Sequence, residues 1–96
     1  MDAALTDNAA RSRYEYRVGD ALATVDYRRA GGVTTLTYAR VPDALAGRGV
    51  GSAMARAVLL DLRARGERVV PVCGFIAQYI ERHPEFHALR VDGSAR

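Results

Sequence analysis

Lysine and tryptophan are absent from the sequence, and cysteine occurs once, at Cys73. A single cysteine excludes an intramolecular disulfide and is typical of a reducing compartment. No apolar run approaches the roughly 20 residues that a membrane-spanning helix needs. The opening stretch MDAALTDNAA lacks the basic and apolar regions of a secretory signal. These absences predict a cytoplasmic protein with no membrane partner.

The absence of lysine leaves arginine to carry all of the positive side-chain charge. Fourteen arginines against eleven acidic residues give a net charge of +3, and we attribute the skew toward arginine to GC-rich bacterial codon usage. This mild basic balance fits an anionic ligand. No arginine run is dense enough to predict a nucleic-acid partner.

The length predicts a single folded domain. The first residues show no periodicity, so we expect a loose arm over residues 1–13, a folded domain over 14–92 and a tail over 93–96. Three β-rich runs, YEYRV, ALATVDYRRA and VTTLTYARV, are separated by the turn pairs Gly19-Asp20 and Gly31-Gly32. This pattern predicts three antiparallel strands joined by hairpins.

The second half of the chain changes to a helical period. Apolar residues at every fourth position predict a helix over residues 50–65, which Gly66 ends. The run RVVPVC predicts a buried strand over 68–73 that Pro71 interrupts, and FIAQYIERH predicts a second helix. The remaining stretch, HALRVDGSAR, adds a last short strand or frays. The order β-β-β-α-β-α indicates an α+β fold with a mostly antiparallel sheet and two helices.

Three glycines, Gly47, Gly49 and Gly51, stand directly before and inside the start of the first predicted helix. A helix start directs free backbone N–H groups to one point, and the helix dipole adds about half a positive charge there. Glycine lets a bulky anion approach the main chain, and Arg48 adds a guanidinium suited to phosphate. The segment predicts a phosphate cradle; the alternative is an ordinary helix start after a flexible turn. It is neither a P-loop nor a dinucleotide-binding motif, since the spacing fits neither.

Three segments taken together resemble a known family. Val41-Pro42, AGRGVGSAM and VVPVCGFIAQYIERHPEF are similar to the minimal single-domain, YjdJ-type members of the GNAT superfamily of N-acetyltransferases, over about residues 14–90. The resemblance implies a short GNAT-like (acyl-CoA N-acyltransferase) fold. It also implies transfer of acetyl from acetyl-CoA, without a metal, to a protein lysine, an N-terminus or a small amine.

The same resemblance places coenzyme A on the glycine segment. It implies that the pyrophosphate is held by the backbone N–H groups of Gly47, Arg48, Gly49, Val50 and Gly51. The other cofactor-binding residues that it implies are Val41, Ser52, Cys73, Tyr79 and His83. The pantetheine arm is expected along the strand 68–73. Because Pro71 cannot donate to a strand ladder, a gap beside this strand is a natural consequence.

The catalytic residues that the resemblance implies are Cys73, Tyr79 and Tyr38. Cys73 is either a covalent relay of the acetyl group or a weak hydrogen-bond donor, and the competing interpretation is a small buried hydrophobe. Tyr79 resembles the tyrosine that protonates the leaving thiolate in larger relatives, and a core aromatic is the alternative. A main-chain N–H near Val72 or Cys73 is expected to stabilise the oxyanion.

Two positions depart from the family pattern. Ala46 stands where the loop usually opens with Arg or Gln, which predicts a lower affinity for the coenzyme. Tyr38 stands where the minimal family usually reads His-Thr-x-Val-Pro, so the role of a base passes to Tyr38 or to water, or is lost. The second hypothesis is therefore a coenzyme A-binding module without turnover, acting as a sensor or partner.

The short Gly19-Asp20 turn leaves no room for the helices that wall the acceptor site in longer relatives. The acceptor face should therefore be open, in a monomer or a weak homodimer. Arg56 and Arg63 share a helix face with Ser52, and a solvated surface explains them better than contact with the 3′-phosphate of the coenzyme.

Overall fold

The computed structural model describes residues 3–91, which form one five-stranded sheet in the order β1-β2-β3-β4-β5. The strands are β1 (Ala3–Asn8), β2 (Arg13–Val18), β3 (Ala21–Ala30), β4 (Val33–Arg40) and β5 (Arg68–Pro71). The first four strands pair antiparallel, and β5 pairs parallel to β4. The helices are α1 (Val50–Ala64) and α2 (Gly74–Arg82), with 3-10 segments at Ala9–Arg11, Asp43–Leu45 and Pro84–Leu89. The predicted α+β class is confirmed.

The two predicted hairpins are present, because their turn residues adopt backbone angles that favour glycine. Gly31 and Gly32 join β3 to β4 with φ values of 61° and 81°, the left-handed angles of a tight hairpin turn. The turn Gly19-Asp20 joins β2 directly to β3 with no helix between them. None of the helices in residues 3–91 has the length and apolarity that a bilayer crossing requires.

The prediction of a loose N-terminal arm is wrong for residues 3–8. These residues form β1, which pairs with β2 along its whole length. The Asp7 carboxylate holds the strand in place, because it accepts hydrogen bonds from Tyr27 and Arg29 and forms an ion pair with Arg65. The folded domain therefore begins before residue 14. The predicted tail over 93–96 lies outside the described residues.

Both α-helices pack on one face of the sheet. Alternate residues of β3, Ala23, Val25 and Tyr27, are buried in one cluster with the apolar stripes of the two helices. The stripe of α1 consists of Val50, Met54, Ala55, Val58, Leu59 and Leu62, and that of α2 consists of Ile76, Tyr79 and Ile80. The residues at every fourth position of α1, Val50, Met54, Val58 and Leu62, are confirmed as the centre of its buried stripe, and Ala55 and Leu59, which the period did not include, widen it. Within residues 3–91, no α-helix covers the opposite face of the sheet.

A polar cluster fastens the end of α1 to β1 and β2. The Tyr14 hydroxyl donates to Asp61 at 2.7 Å, and Arg65 bridges the carboxylates of Asp61 and Asp7 at 2.8 Å and 3.1 Å. Burial and the hydrogen bond to Asp61 raise the pKa of Tyr14. Arg29 donates to Asp7 at 2.9 Å from the other side. Asp7 therefore lies between two guanidinium groups and links β1 to β3 and to the end of α1.

We expect Asp7→Ala to lower the free energy of unfolding by about 2–3 kcal/mol, since it removes several charge-assisted hydrogen bonds. Burial raises the pKa of Asp7, but the hydrogen bonds from Tyr27 and Arg29 and the charges of Arg29 and Arg65 outweigh it, so that the pKa lies below 3.8. A carboxyl group with a lowered pKa contributes stability above its unfolded-state pKa, and that stability is lost as the pH falls through its folded-state pKa.

Urea unfolding of the wild-type protein and of Asp7→Ala, near neutral pH and at a series of values below pH 3.8, measures the difference in their free energies of unfolding. Asp20→Ala is the control, because Asp20 is an exposed acidic residue of the β2–β3 turn. The loss caused by Asp7→Ala should shrink as the pH falls. A loss equal to that of Asp20→Ala, or one independent of pH, contradicts the assigned role of Asp7.

Candidate functional site

The chain enters α1 through a turn with two left-handed glycines. Gly47 and Gly49 have φ values of 78° and 72°, and Gly49 is the residue that caps the helix. Residues that carry a side chain rarely adopt these backbone angles. The space outside the turn is open, because a Cβ added at either glycine would have no neighbour within 4 Å. The main chain is therefore accessible here to a bulky group.

Six consecutive backbone N–H groups, from Gly47 to Ser52, donate to no acceptor within residues 3–91. The N–H of Ala53 is the first to bond inside the helix, to the Gly49 carbonyl at 3.0 Å. The Val50 side chain is buried, so this residue offers only its main chain. The exposed Arg48 guanidinium adds charge beside these groups. The geometry that a phosphate cradle requires is present, and the ligand contact itself stays a prediction.

The sheet divides beside this turn. Pairing between β4 and β5 ends at Leu36 and Pro71, whereas β4 continues to Arg40. The N–H groups of Val72 and Cys73 both donate to the Leu36 carbonyl, at 3.0 Å and 2.9 Å. Neither group is therefore free, and the prediction of an oxyanion donor near Val72 or Cys73 is wrong. We call the space between the unpaired end of β4 and the residues after β5 the gap.

The two sides of the gap carry three of the predicted site residues. Tyr38, in the unpaired end of β4, is 53% exposed, and the Arg40 guanidinium lies 5.3 Å from the centre of its ring. Val41 follows β4 and packs against the core. Cys73 lies on the other side, half-buried at the start of α2 with extended backbone angles. Tyr38 and Cys73 thus lie on the two sides of the gap, Tyr38 near the end of β4 and Cys73 at the start of α2.

A cleft opens between the start of α1 and one face of α2. It is lined by Ser52, Phe75, Gln78, Tyr79, Arg82 and His83. A Cβ added at Gly51 would lie 2.8 Å from the Cζ atom of Phe75, so Gly51 is required for the close approach of that ring. The structure brings the predicted residues Ser52, Tyr79 and His83 together here. Three further lining residues were missed, although their positions at 75, 78 and 82 follow one face of a helix.

The rings of Tyr79 and His83 are stacked, with centroids 3.8 Å apart and planes inclined by 14°. The His83 Nδ1 atom lies 2.7 Å from the Tyr79 carbonyl oxygen. A carbonyl only accepts, so Nδ1 carries the proton and neutral His83 keeps an acceptor at Nε2. The hydrogen bond to Glu85, at 3.0 Å, is the largest cause that raises the pKa of Arg56.

Arg56 and Arg63 support the packing of the last 3-10 segment. Arg56 binds the Glu85 carboxylate at 3.0 Å, and the two guanidinium groups lie 5.8 Å and 5.4 Å from the centre of the Phe86 ring. Contact with the aromatic ring explains both arginines without a ligand. In the described residues, no group of three His, Cys, Asp or Glu side chains is placed to hold a metal ion.

Comparisons with known proteins bear on this arrangement. A sequence profile described as GCN5-related N-acetyl-transferase matches residues 13–89. A GCN5-like protein from Staphylococcus aureus, whose solution structure was determined by NMR, superposes with a TM-score of 0.69 at 18% sequence identity. The match covers 97% of this chain and 94% of that one. At this identity the likeness shows the shared fold alone. No curated protein matches the chain in sequence.

We expect neutral His83 to be protonated at Nδ1, which is the less common tautomer of a free imidazole, because the Tyr79 carbonyl fixes that proton. His87 is an internal control, since its Nε2 atom lies 3.3 Å from the Glu81 carbonyl and should carry the proton instead. Two-dimensional nitrogen–proton NMR of the imidazole rings distinguishes the two forms. A His83 ring protonated at Nε2 would show that the contact with Tyr79 is not formed in solution.

Proposed function

Because the chain belongs to the GCN5-related N-acetyltransferase family, we propose that it transfers the acetyl group of acetyl-CoA to an amine. The observation that carries the proposal is the run of free N–H groups from Gly47 to Ser52, beside the gap in the sheet. Such a run at the positive end of a helix dipole is suited to the oxygens of a diphosphate. The narrower YjdJ-type assignment stays a prediction.

The residues around the cradle fit the rest of the coenzyme. Arg48 and Arg82 lie at the turn and in the cleft, and neither has a carboxylate partner among residues 3–91. Both guanidinium groups are therefore available for phosphate oxygens. The unpaired edge of β4 over residues 37–40 offers main-chain groups to the two amides of a pantetheine arm, in the manner of an added strand.

Acetyl-CoA supplies the reactive thioester, and we assign three roles to side chains of this chain. Tyr79 donates its hydroxyl proton to the departing sulfur, since it lines the cleft between the start of α1 and α2. Tyr38 donates to the oxygen of the acetyl group, because the N–H groups of Val72 and Cys73 are engaged. Cys73 borders the sulfur as a weak donor or an acetyl relay. The amine attacks in its neutral form as the carbon–sulfur bond breaks, and the proton that its nitrogen loses passes to solvent, which restores the Tyr79 hydroxyl.

One observation favours the second candidate, a coenzyme A-binding module without turnover. The β4 position that carries a histidine in the minimal family is occupied by Tyr38, which is exposed and has the Arg40 guanidinium 5.3 Å from the centre of its ring. The cradle does not depend on that position. Binding of the coenzyme and turnover are therefore separate questions and need separate measurements.

We expect Gly49→Ala to weaken the binding of coenzyme A at least tenfold, because the new Cβ enters the space that the phosphates would occupy. Gly66→Ala is a matched control, since Gly66 has a φ of 73° and open space around it and lies beyond the other end of α1. Each variant costs about 1 kcal/mol of stability through the same backbone strain. Isothermal titration calorimetry with coenzyme A measures the difference; equal affinities would refute the cradle.

We expect Tyr79→Phe to lower kcat about a hundredfold with little change in the KM for acetyl-CoA, since it removes only the proton that the sulfur takes up. Tyr16→Phe is the control, because Tyr16 lies on β2 away from the cleft. Thiol release from acetyl-CoA with a panel of amines measures both. Tight coenzyme binding without thiol release for any amine favours the binding module over the enzyme.

A further inference from the structure

The face of the sheet away from the helices borders the gap and carries charged side chains. We call it the open face; its charged and polar residues include Arg13, Glu15, Arg17, Thr24, Asp26, Arg28, Tyr38 and Arg40, and the apolar Leu22, Val33 and Val70 lie on it as well. These residues alternate along β2 and β3 with residues of the core. A register shift between Asp26 and Tyr27 changes the alternation on β4, so that Leu36 and Ala39 both lie on the core side. Tyr38 and Arg40 consequently belong to the open face.

The arginines of the chain differ in whether a carboxylate lies beside them. Arg29, Arg56, Arg65 and Arg90 each lie within 4 Å of a carboxylate, whereas Arg48, Arg63 and Arg82, on or beside the helices, have none among residues 3–91. On the open face only Arg13 has one, that of Glu15. Within residues 3–91, Arg17, Arg28 and Arg40 have no such partner. The open face therefore carries more positive than negative charge, with Arg13, Arg17, Arg28 and Arg40 against Glu15 and the exposed Asp26.

The three arginines without a carboxylate partner lie on neighbouring strands, Arg17 on β2, Arg28 on β3 and Arg40 on β4 next to the gap. Arg40 stands opposite Thr24 on β3, and Arg28 lies four residues further along that strand, a distance of roughly 13 Å. Arg40 itself belongs to the unpaired end of β4, with its guanidinium 5.3 Å from the centre of the Tyr38 ring. An extended segment of about four residues would span the two guanidinium groups with its end at the gap.

We propose that the open face binds an acidic peptide segment, so that the amine acceptor is a protein whose reactive amine is followed or flanked by Asp and Glu residues. This inference rests on the proposed acetyl transfer for the identity of the amine. Charge complementarity carries it: carboxylates of the segment pair with Arg28 and Arg40, and these same charges repel a polyamine. Tyr38 and Val72 give the rim of the gap an apolar surface for the aliphatic part of the acceptor.

Two carboxylates on the open face favour a peptide over a nucleic acid. Asp26 is exposed between Arg28 and Arg40, and Glu15 follows on the neighbouring strand. A nucleic-acid backbone presents phosphates at a regular spacing, and some of them would lie over these carboxylates. A peptide carries its charges only where its sequence places them. Tyr38 is also the single aromatic residue of the open face, which is too few for a stacking platform.

The test measures binding of two labelled peptides by fluorescence anisotropy, without acetyl-CoA. One peptide carries a single lysine among about four glutamates, and the other has glutamines in their place. We expect the acidic peptide to bind at least about fivefold more tightly, with the difference lost at about 0.5 M salt. Arg28→Glu and Arg40→Glu should each weaken it about fivefold, whereas Arg63→Glu, an equal change of charge on α1, should not.

Equal affinity for the two peptides, or an equal effect of Arg63→Glu and Arg40→Glu, overturns the proposal. Tighter binding of a single-stranded oligonucleotide than of the acidic peptide overturns it as well. Coenzyme A binding is measured on the same samples. Loss of coenzyme binding with retained peptide selectivity would refute the acetyl transfer alone, and the converse would refute the acidic segment alone.

Discussion

The site depends on one backbone oxygen, the carbonyl of Leu36. It accepts two N–H groups from consecutive residues, Val72 and Cys73, directly after the last paired residue of β5. Pro71 has no N–H to extend the parallel ladder, so the chain after it turns toward this one acceptor. As a result, β4 pairs with β5 from Val33 to Leu36 and has no partner on that side from Thr37 to Arg40. The gap, the position of Cys73 and the start of α2 all follow from this point.

The division of the sheet also sets how the two helices meet. Because α2 starts directly at the gap, the ring of Phe75 comes to lie on Gly51, in the first turn of α1. Contact between the helices at this end holds the free N–H groups of α1 at the mouth of the cleft. The polar cluster around Asp7 fixes the opposite end of α1 to the sheet. Ion pairs thus hold the C-terminal end of α1, and the backbone N–H groups at its N-terminal end have no partner among residues 3–91.

Local signals in the sequence predicted most of the architecture, and contacts between distant residues account for the rest. The hairpins and α1 follow from turn glycines and a four-residue period. The stretch AALTDN has no such signal, because its strand depends on Asp7 meeting Tyr27 and Arg65, far along the chain. Pro71 predicted the gap, but not that the N–H groups after it would be engaged. Gly51 was grouped with the phosphate ligands, whereas its lack of a side chain also admits Phe75.

The absence of lysine has a consequence in a chain of the GCN5-related N-acetyltransferase family. Every basic side chain outside histidine is a guanidinium, which stays protonated and is not an acceptor of acetyl groups. The structure uses this group for two tasks that an ammonium performs less well, pairing with carboxylates and stacking on rings, as Arg29 does against Asp7 and Tyr27. The arginine surface beside the gap therefore offers no lysine side chain that could itself take up an acetyl group. The arginines thus give this chain positive charge without any lysine nitrogen that could be acetylated.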